Sequence, residues 1–249
     1  MNLKILVATH KSYWMPEDKV YFPIQVGRAI APQSLSYTGD DTGEHISEKN
    51  KTFCELTAVY WAWKNLKDVD AIGLCHYRRY FGAKRTSILS QADYTRLLAA
   101  GNDCILPKKR NYFIETNYSQ YVHAHHEEDL ILTKAILTEK YPDYLPAWEA
   151  VMKSTSGHRF NMFVMKWDLF DAYCTWLFDI LFELEKRLDI STYSDYDKRV
   201  FGFVSERLID VYLLTQKPSI ATVPMVNLES QHWPKKIFHF LLRKFGIKR

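Results

Sequence analysis

The chain has 249 residues, of which 47% are hydrophobic, 25% charged and 15% aromatic, with nine Gly and nine Pro. This composition excludes a disordered or collagen-like protein and supplies ample material for a hydrophobic core. The charge is uneven, because the segment after Glu229 holds six Lys or Arg and no acid, so the net charge of +4 becomes −2 over residues 1–229. That balance argues against a nucleic-acid-binding domain, which needs Lys and Arg spread over a face of the fold.

The cysteines and the apolar runs indicate a cytoplasmic protein. Four Cys lie far apart without a Cys-x-x-Cys pair, and the opening MNLKILVATHK lacks the basic start and long apolar run of a secretory leader. No stretch reaches the ~20 apolar residues that a bilayer span needs. We therefore expect reduced thiols and no transmembrane helix.

The first quarter of the chain predicts two strands and a helix. Residues 3–9, LKILVAT, are apolar and rich in β-branched residues, which is typical of a buried strand, and 21–26 form a second short strand. Apolar residues then recur at helical spacing up to Asp68, with Ser47 or Asn50 as the N-cap.

The segment DAIGLCHYRRYF joins an apolar strand at 71–75 to a basic and aromatic run. This pattern is expected where a central strand carries polar groups to the mouth of a sheet. A helix at 90–100 and a strand at 103–106 follow, and the strand ends in the basic loop 107–110.

The second half of the chain continues the alternation of strands and helices. The patterns predict helices at 119–140, 142–153, 167–188 and 197–214, and strands at 160–165 and 219–226. Such alternation favours an α/β fold in which a mostly parallel or mixed central sheet is flanked by helices. We expect one domain over residues 1–229 and a basic amphipathic segment over 230–249.

The densest candidate site is the run that contains His76, Arg78 and Arg79. Guanidinium groups bind phosphate oxygens through paired donors and stay charged, so this run predicts a pocket for a diphosphate. The alternative is that both arginines pair with acids elsewhere and that His76 is a half-buried structural residue.

Two further segments are candidates for binding a nucleotide or its phosphates. Thr9, His10 and Lys11 end the first strand, where open α/β sheets commonly bind ligands, although an ordinary polar turn would look the same. Lys49 and Asn50 lie at a helix N-terminus, whose free N–H groups favour an anion, although a solvated cap is the competing interpretation.

Asp40 and Asp41 could hold a divalent cation together with substrate phosphates, as carboxylates do for Mg or Mn, or could simply form a turn.

A histidine cluster follows later in the chain, at His123, His125 and His126 with Asp129. On one helix, His125 and Asp129 would share a face, which suits either a metal or an oriented acid–base pair.

Glu206 is the candidate general base, because a carboxylate at a cleft can take a proton from an attacking hydroxyl. Its alternative role is an ion pair with the adjacent Arg207. The chain lacks the glycine-rich, P-loop, nucleophile-elbow and zinc-protease motifs, which lowers support for oxidoreductases, P-loop enzymes and hydrolases.

The segment WPKKIFHFLLRKFGI, at residues 233–247, combines aromatic and aliphatic residues with Lys and Arg. Such a helix fits the anionic inner face of a cell membrane, and the alternative is a terminal helix docked on its own domain.

Together these motifs resemble one family, the domain-of-unknown-function family of bacterial capsular and exopolysaccharide biosynthesis proteins, which are regarded as glycosyltransferases. The resemblance covers about residues 3–229. It rests on ILVATHK, DDTGEHISEKNKTFCELTAVYWAWKN, IGLCHYRRYF, ILPKKRNY, FNMFVMKWDLFDAYCTWLFDILFELE and RVFGFVSERL.

The resemblance implies a fold similar to the GT-A nucleotide-sugar transferases and transfer of a hexose, with galactose and a UDP donor favoured, to a glycan or lipid-linked glycan. By this similarity Thr9, His10 and Lys11 would hold the nucleotide, and Asn161 would hold the donor sugar. The usual Asp-x-Asp metal motif is replaced by His76-Tyr77-Arg78-Arg79, so these cations could neutralise the leaving diphosphate. Mn or Mg on Asp40 and Asp41 stays open.

The expected protein is thus a cytoplasmic enzyme on the inner membrane face. It would bind a nucleotide diphosphate sugar and a glycan acceptor, and no nucleic acid. The main alternative is a non-catalytic module that binds polysaccharide or nucleotide; a nucleic-acid protein, suggested by KKRNYF and HYRRYF, is the other.

Overall fold

A central mixed sheet organises the chain, whose residues 1–229 are described by a computed structural model. The predicted amphipathic segment 230–249 lies outside the described residues. The strands are β1 Leu3–Thr9, β2 Tyr21–Gln25, β3 Thr38–Gly39, β4 Ala71–His76, β5 Arg79–Phe81, β6 Cys104–Pro107, β7 Arg110–Asn111, β8 Ser156–Gly157, β9 Phe163–Lys166, β10 Ile220–Val223 and β11 Met225–Asn227. The helices are α1 Asn50–Phe53, α2 Leu56–Asn65, α3 Gln91–Ala99, α4 Asn117–Ala124, α5 Glu127–Lys140, α6 Leu145–Lys153, α7 Trp167–Arg187 and α8 Val200–Gln216.

The strands of the main sheet run in the order β10-β6-β9-β4-β1-β2-β3, with β5 and β11 attached beyond the end of β4. Along this order neighbouring strands are parallel except at β9, which is antiparallel to both β4 and β6, and the attached pairs β4–β5 and β5–β11 are antiparallel. The expected α/β fold with a mostly parallel or mixed sheet is therefore confirmed. Because β9 runs the opposite way, its first residues lie at the edge where β1 and β4 end.

Both faces of the sheet are buried, as expected for strands covered by helices. Alternate residues of β1 point to opposite sides, so Leu6 packs on one face and Ile5 on the other. In β4, the lack of a side chain at Gly73 lets Ile5 and Val164 approach, since a Cβ there would meet the Ile5 Cδ1 at 2.5 Å.

Helix α7 supplies the largest apolar face, as its sequence pattern predicts. It packs on α2, α5 and α8, and each buried aliphatic or aromatic side chain contributes roughly 1.5–3 kcal/mol. The predicted stripe is buried throughout: Phe170, Tyr173, Leu177, Ile180, Leu181 and Leu184.

The expectation of one helix from Ser47 to Asp68 was wrong. Ser47 lies in a 3-10 turn and donates its hydroxyl to Asp40, instead of capping a helix. The helix is then interrupted at Cys54, whose backbone adopts φ 54° and ψ −132°, so α1 and α2 are separate.

The expectation of one helix over 119–140 was also wrong. Helix α4 ends at Ala124, and His125 and His126 are extended before α5 begins. His125 and Asp129 therefore do not share a helical face. The predicted strand at 160–165 begins only at Phe163, because Phe160 and Asn161 have positive φ.

Within residues 1–229, each helix is too short or too polar to cross a bilayer.

Candidate functional site

A cavity of about 810 Å³ opens at the edge of the sheet where β1, β2 and β4 end. This is the edge at which open α/β sheets bind their ligands. Residues from several parts of the chain line it, among them His10 after β1, Asn50 and Glu55 around the α1–α2 break, His76, Arg78 and Arg79 at and after the end of β4, Phe160 before β9, and Arg199 and Glu206 on or near α8.

The cavity wall is strongly cationic, although residues 1–229 carry a net charge of −2. Its lining includes eight Lys or Arg and three Asp or Glu among the described residues. A low-dielectric concave wall with one sign of charge raises the local concentration of oppositely charged ligands. The cations are Lys51, Arg78, Arg79, Arg110, Arg159, Lys198, Arg199 and Arg207, and the acids are Glu55, Asp195 and Glu206.

The predicted cluster after β4 does line this cavity. Arg78 donates to Glu229 at 2.8 Å, and Arg79 lies over the ring of Phe160, with 4.1 Å from its Cζ to the ring centre. The Nε of Arg79 is buried and has no hydrogen-bond partner within residues 1–229, and burial followed by the charge of Arg78 lowers the pKa of Arg79. A half-buried guanidinium that lines a cavity is suited to an anion.

His76 is held in one tautomer by the chain itself. Its Nε2 lies 2.7 Å from the carbonyl oxygen of Phe160, which can only accept, so this nitrogen carries the hydrogen. Burial lowers the pKa of His76, which favours the neutral ring.

Phe160 links several of these groups. Besides the contacts to Arg79 and His76, its backbone N–H donates to Glu206 at 2.8 Å. Phe160 and Asn161 have φ of 71° and 51°, a left-handed pair that costs non-glycine residues about 1–2 kcal/mol each. The tight turn places the phenyl ring and the backbone amide of Phe160 on the cavity.

Asn161 itself is buried and does not line the cavity. Its amide nitrogen donates to Glu55 at 2.8 Å and to the carbonyl of Gly202, and its oxygen accepts from Ser205 at 2.9 Å. The side chain expected to hold a donor sugar is thus used by the protein, and it fixes the position of Glu55.

Of the three residues after β1, His10 lines the cavity. Burial, with the charges of Lys11 and Arg78, lowers the pKa of His10. The buried Thr9 donates to the backbone carbonyl of Lys11 at 2.6 Å and closes the turn, while the Lys11 Nζ lies 5.2 Å from the ring centre of Tyr77.

Lys49 and Asn50 are separated by the fold. The Lys49 Nζ forms an ion pair with Glu185 at 2.6 Å and is not in the lining. Asn50 reaches the cavity, where its amide donates to the backbone carbonyl of Cys54 at 2.7 Å and holds the break between α1 and α2.

Asp40 and Asp41 lie away from the cavity lining. Asp40 is fully buried and accepts from the backbone N–H groups of Gly27 and Arg28 and from Ser47. Asp41 pairs with Arg28 at 2.7 Å. The three donors on Asp40 and the guanidinium beside Asp41 do not fit a metal ion, and no group of three His, Cys, Asp or Glu suited to one occurs within residues 1–229.

The histidine cluster is dispersed in the same way. The His125 ring lines the cavity 4.2 Å from the ring centre of Phe203, and burial lowers its pKa to about 4. Asp129 accepts from Tyr121 and Tyr193, and His123 pairs with Glu115 at 2.5 Å.

Two carboxylates face the cavity at its centre, and they differ in their surroundings. Glu206 accepts a hydrogen bond from the Phe160 N–H and pairs with Arg207 at 3.1 Å. The Nε of Arg159 lies 3.9 Å from the same carboxylate. Glu55 accepts from Asn161 through Oε1 and forms no ion pair within residues 1–229. Sequence reasoning missed Glu55 and Arg159, because neither stands out from the helical and loop patterns around it.

Comparison with known proteins points to one family. The model of the family described as Domain of unknown function (DUF4422) matches residues 4–217. Among solved structures, the apo structure of the WbbM bifunctional glycosyltransferase aligns with a TM-score of 0.81 and 29% identity over 92% of this chain and 46% of that one. The chain thus spans about half the length of the solved structure it matches. No curated protein matches the chain.

Proposed function

We propose that this chain, which belongs to the DUF4422 family and has a glycosyltransferase fold, is a glycosyltransferase that binds a nucleotide diphosphate sugar in its cationic cavity. The acceptor is a glycan or lipid-linked glycan. The observation that carries the proposal is the excess of Lys and Arg in a cavity at the carboxyl edge of the sheet, although residues 1–229 carry a net charge of −2.

The diphosphate binds at Arg78 and Arg79 in this proposal. Arg79 presents a half-buried guanidinium to the cavity, and Arg78 can exchange its contact with Glu229 for a phosphate oxygen. As the bond between the anomeric carbon and the diphosphate breaks, negative charge grows on the leaving oxygen, and fixed cations stabilise it. Because Asp40 and Asp41 do not fit a metal ion, no step is assigned to one.

An acceptor hydroxyl attacks the anomeric carbon, its oxygen forms the new glycosidic bond, and the electron pair of the old bond leaves with the diphosphate. The hydroxyl proton goes to a carboxylate. Attack opposite the leaving group inverts the anomeric centre, and retention of configuration in the product would contradict this step.

Glu206, the base expected from the sequence, is one candidate for that carboxylate, and Glu55 is the other. Glu206 is already engaged by Arg207 and by the Phe160 N–H, which leaves its carboxylate less free to approach an acceptor hydroxyl. Glu55 accepts one amide hydrogen bond and keeps its second oxygen for the acceptor. We therefore assign the proton transfer to Glu55 and the placement of Phe160 and the arginines to Glu206.

The finer assignments follow the sequence resemblance. They are a hexose donor, with UDP-galactose favoured, a role in surface polysaccharide synthesis, and a peripheral position on the inner face of the cell membrane through residues 230–249.

The proposal is tested by thermal shift and transfer assays with UDP, GDP and dTDP sugars, with and without manganese. A ligand that binds only the native state raises Tm by mass action. We expect one nucleotide class to raise Tm of the wild type without manganese and to fail with Arg79→Ala. The matched control is Arg96→Ala, which removes an exposed guanidinium on α3 that pairs with Asp93.

If nucleotide binds without any transfer or hydrolysis, the non-catalytic binding module replaces the enzyme. If no nucleotide sugar shifts Tm, the proposal fails. A shift that requires manganese would contradict neutralisation by arginine alone.

A further inference from the structure

The loop between β6 and α4 exposes basic and apolar side chains next to each other. Lys108, Lys109 and Arg110 are exposed, with the Lys109 Nζ 3.5 Å from the Asp210 carboxylate, and three residues after Arg110 the side chain of Phe113 is 81% exposed and that of Ile114 54%. Phe113 is the most exposed large apolar residue among those described, and none of its neighbours within residues 1–229 covers it. We call residues 108–114 the basic–apolar loop.

The backbone of the basic–apolar loop is anchored to the rest of the protein. Strand β7, inside the loop, pairs with β8, and the Tyr112 N–H donates to the carbonyl of Thr155 at 2.8 Å. The Tyr112 hydroxyl accepts from Arg159 at 2.7 Å, so the loop is tied to the cavity wall.

The tip of the loop is strained as well as anchored. Phe113 has φ 59°, and its N–H donates to the Asn111 side chain at 2.7 Å. A left-handed backbone is unfavourable for an aromatic residue. The tip thus holds a large apolar side chain out in water at a cost that the described contacts do not recover.

We propose that the basic–apolar loop docks on an anionic lipid surface. Basic residues near such a surface contribute about 1 kcal/mol each, and aromatic side chains insert at the level of the headgroups. The loop has both kinds of side chain within seven residues, as a lipid surface requires, whereas a protein groove for Phe113 and Ile114 would not need three adjacent cations.

The basic–apolar loop lies beside the cavity, so a lipid contact through the loop also positions the cavity. Arg110 and Tyr112, in the middle of the loop, line the cavity. Docking the tip therefore brings the cavity mouth to the membrane, where a lipid-linked acceptor would be found. This last step rests on the proposed function, whereas the lipid contact itself does not.

The test is cosedimentation of the full chain with vesicles of phosphatidylcholine alone or in an equimolar mixture with phosphatidylglycerol. The loop variant is Phe113→Ser with Ile114→Ser, and the matched control is Ile131→Ser, which removes a 51% exposed isoleucine from α5. We expect the loop variant to bind the anionic vesicles about tenfold more weakly than the wild type, and the control to bind equally.

Lys108→Glu tests the electrostatic part and should weaken binding to the anionic vesicles while leaving the weak binding to phosphatidylcholine unchanged. Tm and the nucleotide-induced shift are measured for every variant, so loss of folding or of the proposed site is separated from loss of lipid binding. Equal vesicle binding by the loop variant and the wild type would overturn the proposal. It would then favour a protein occupant for the loop.

Discussion

The guanidinium carbon of Arg79 lies 4.1 Å from the centre of the Phe160 ring, and these two residues join the two halves of the cavity. Arg79 begins β5, which turns back from the end of β4, whereas Phe160 precedes β9. The ring orients a half-buried cation, and the backbone of the same residue binds His76 and Glu206.

Phe160→Leu should weaken the binding of nucleotide diphosphates. Cation–π contacts contribute about 0.5–2 kcal/mol, so loss of the ring corresponds to a Kd roughly 3- to 30-fold higher. Isothermal titration measures the change. Phe22→Leu, which removes a ring stacked on Trp61 outside the cavity lining, is the control and should leave Kd unchanged.

Glu55→Gln and Glu206→Gln should fail in different ways. Loss of a general base typically lowers kcat by about 10²–10⁴-fold, so we expect this for Glu55→Gln with nucleotide binding retained. Glu206→Gln removes the partner of Arg207 and should lower Tm and weaken nucleotide binding together. If instead Glu206→Gln lost kcat with nucleotide binding retained, and Glu55→Gln lost both Tm and binding, Glu206 would be the general base.

His125 should make the protein less stable in acid. Burial lowers its pKa from 6.5 to about 4, so the unfolded chain binds more protons than the native one between these values. The contribution to stability is complete above pH 6.5 and is lost as pH falls toward 4, at most about 3 kcal/mol. Urea unfolding between pH 6.5 and pH 4 measures the free energy of unfolding. It should fall less for His125→Gln than for the wild type, and His45→Gln, which also removes one histidine, is the control.

At Cys54 a glycine variant should be more stable than an alanine variant, which is the reverse of the usual order within a helix. Its φ of 54° with ψ of −132° is a conformation that glycine adopts without penalty. Cys54→Gly should therefore be more stable than Cys54→Ala by about 1–3 kcal/mol, although both lose the contact of the thiol with Arg199. Chemical denaturation of the two variants measures this difference in stability. A more stable alanine variant would show that the backbone at Cys54 is not strained.

The longer strands and the apolar face of α7 could be predicted because they follow from local periodicity, whereas the short β3, β5, β7 and β8 were not predicted. The breaks at Cys54 and His125 could not, because their neighbours favour helix and tertiary contacts act at the breaks, such as that of the Arg199 Nε with the Cys54 thiol. Each break delivers a side chain to the cavity, so local rules failed at the site itself.

The cations after β4 were visible in the sequence because they end an apolar strand. The role of Asn161 could not be predicted from the sequence, because nothing in its neighbours indicates that its amide donates a hydrogen bond to Glu55. Lys49 was placed correctly at the start of a helical segment, yet its partner is Glu185, 136 positions away, which no local pattern can indicate.

The position of β9 between β4 and β6 has a kinetic consequence. The cavity wall needs residues near 10, 55, 79, 160 and 206 together, so it exists only after strands far apart in sequence have paired. Such non-local pairing makes refolding slow and leaves its transition state without a finished ligand pocket. A bound nucleotide should then slow unfolding in proportion to its affinity and leave the refolding rate unchanged.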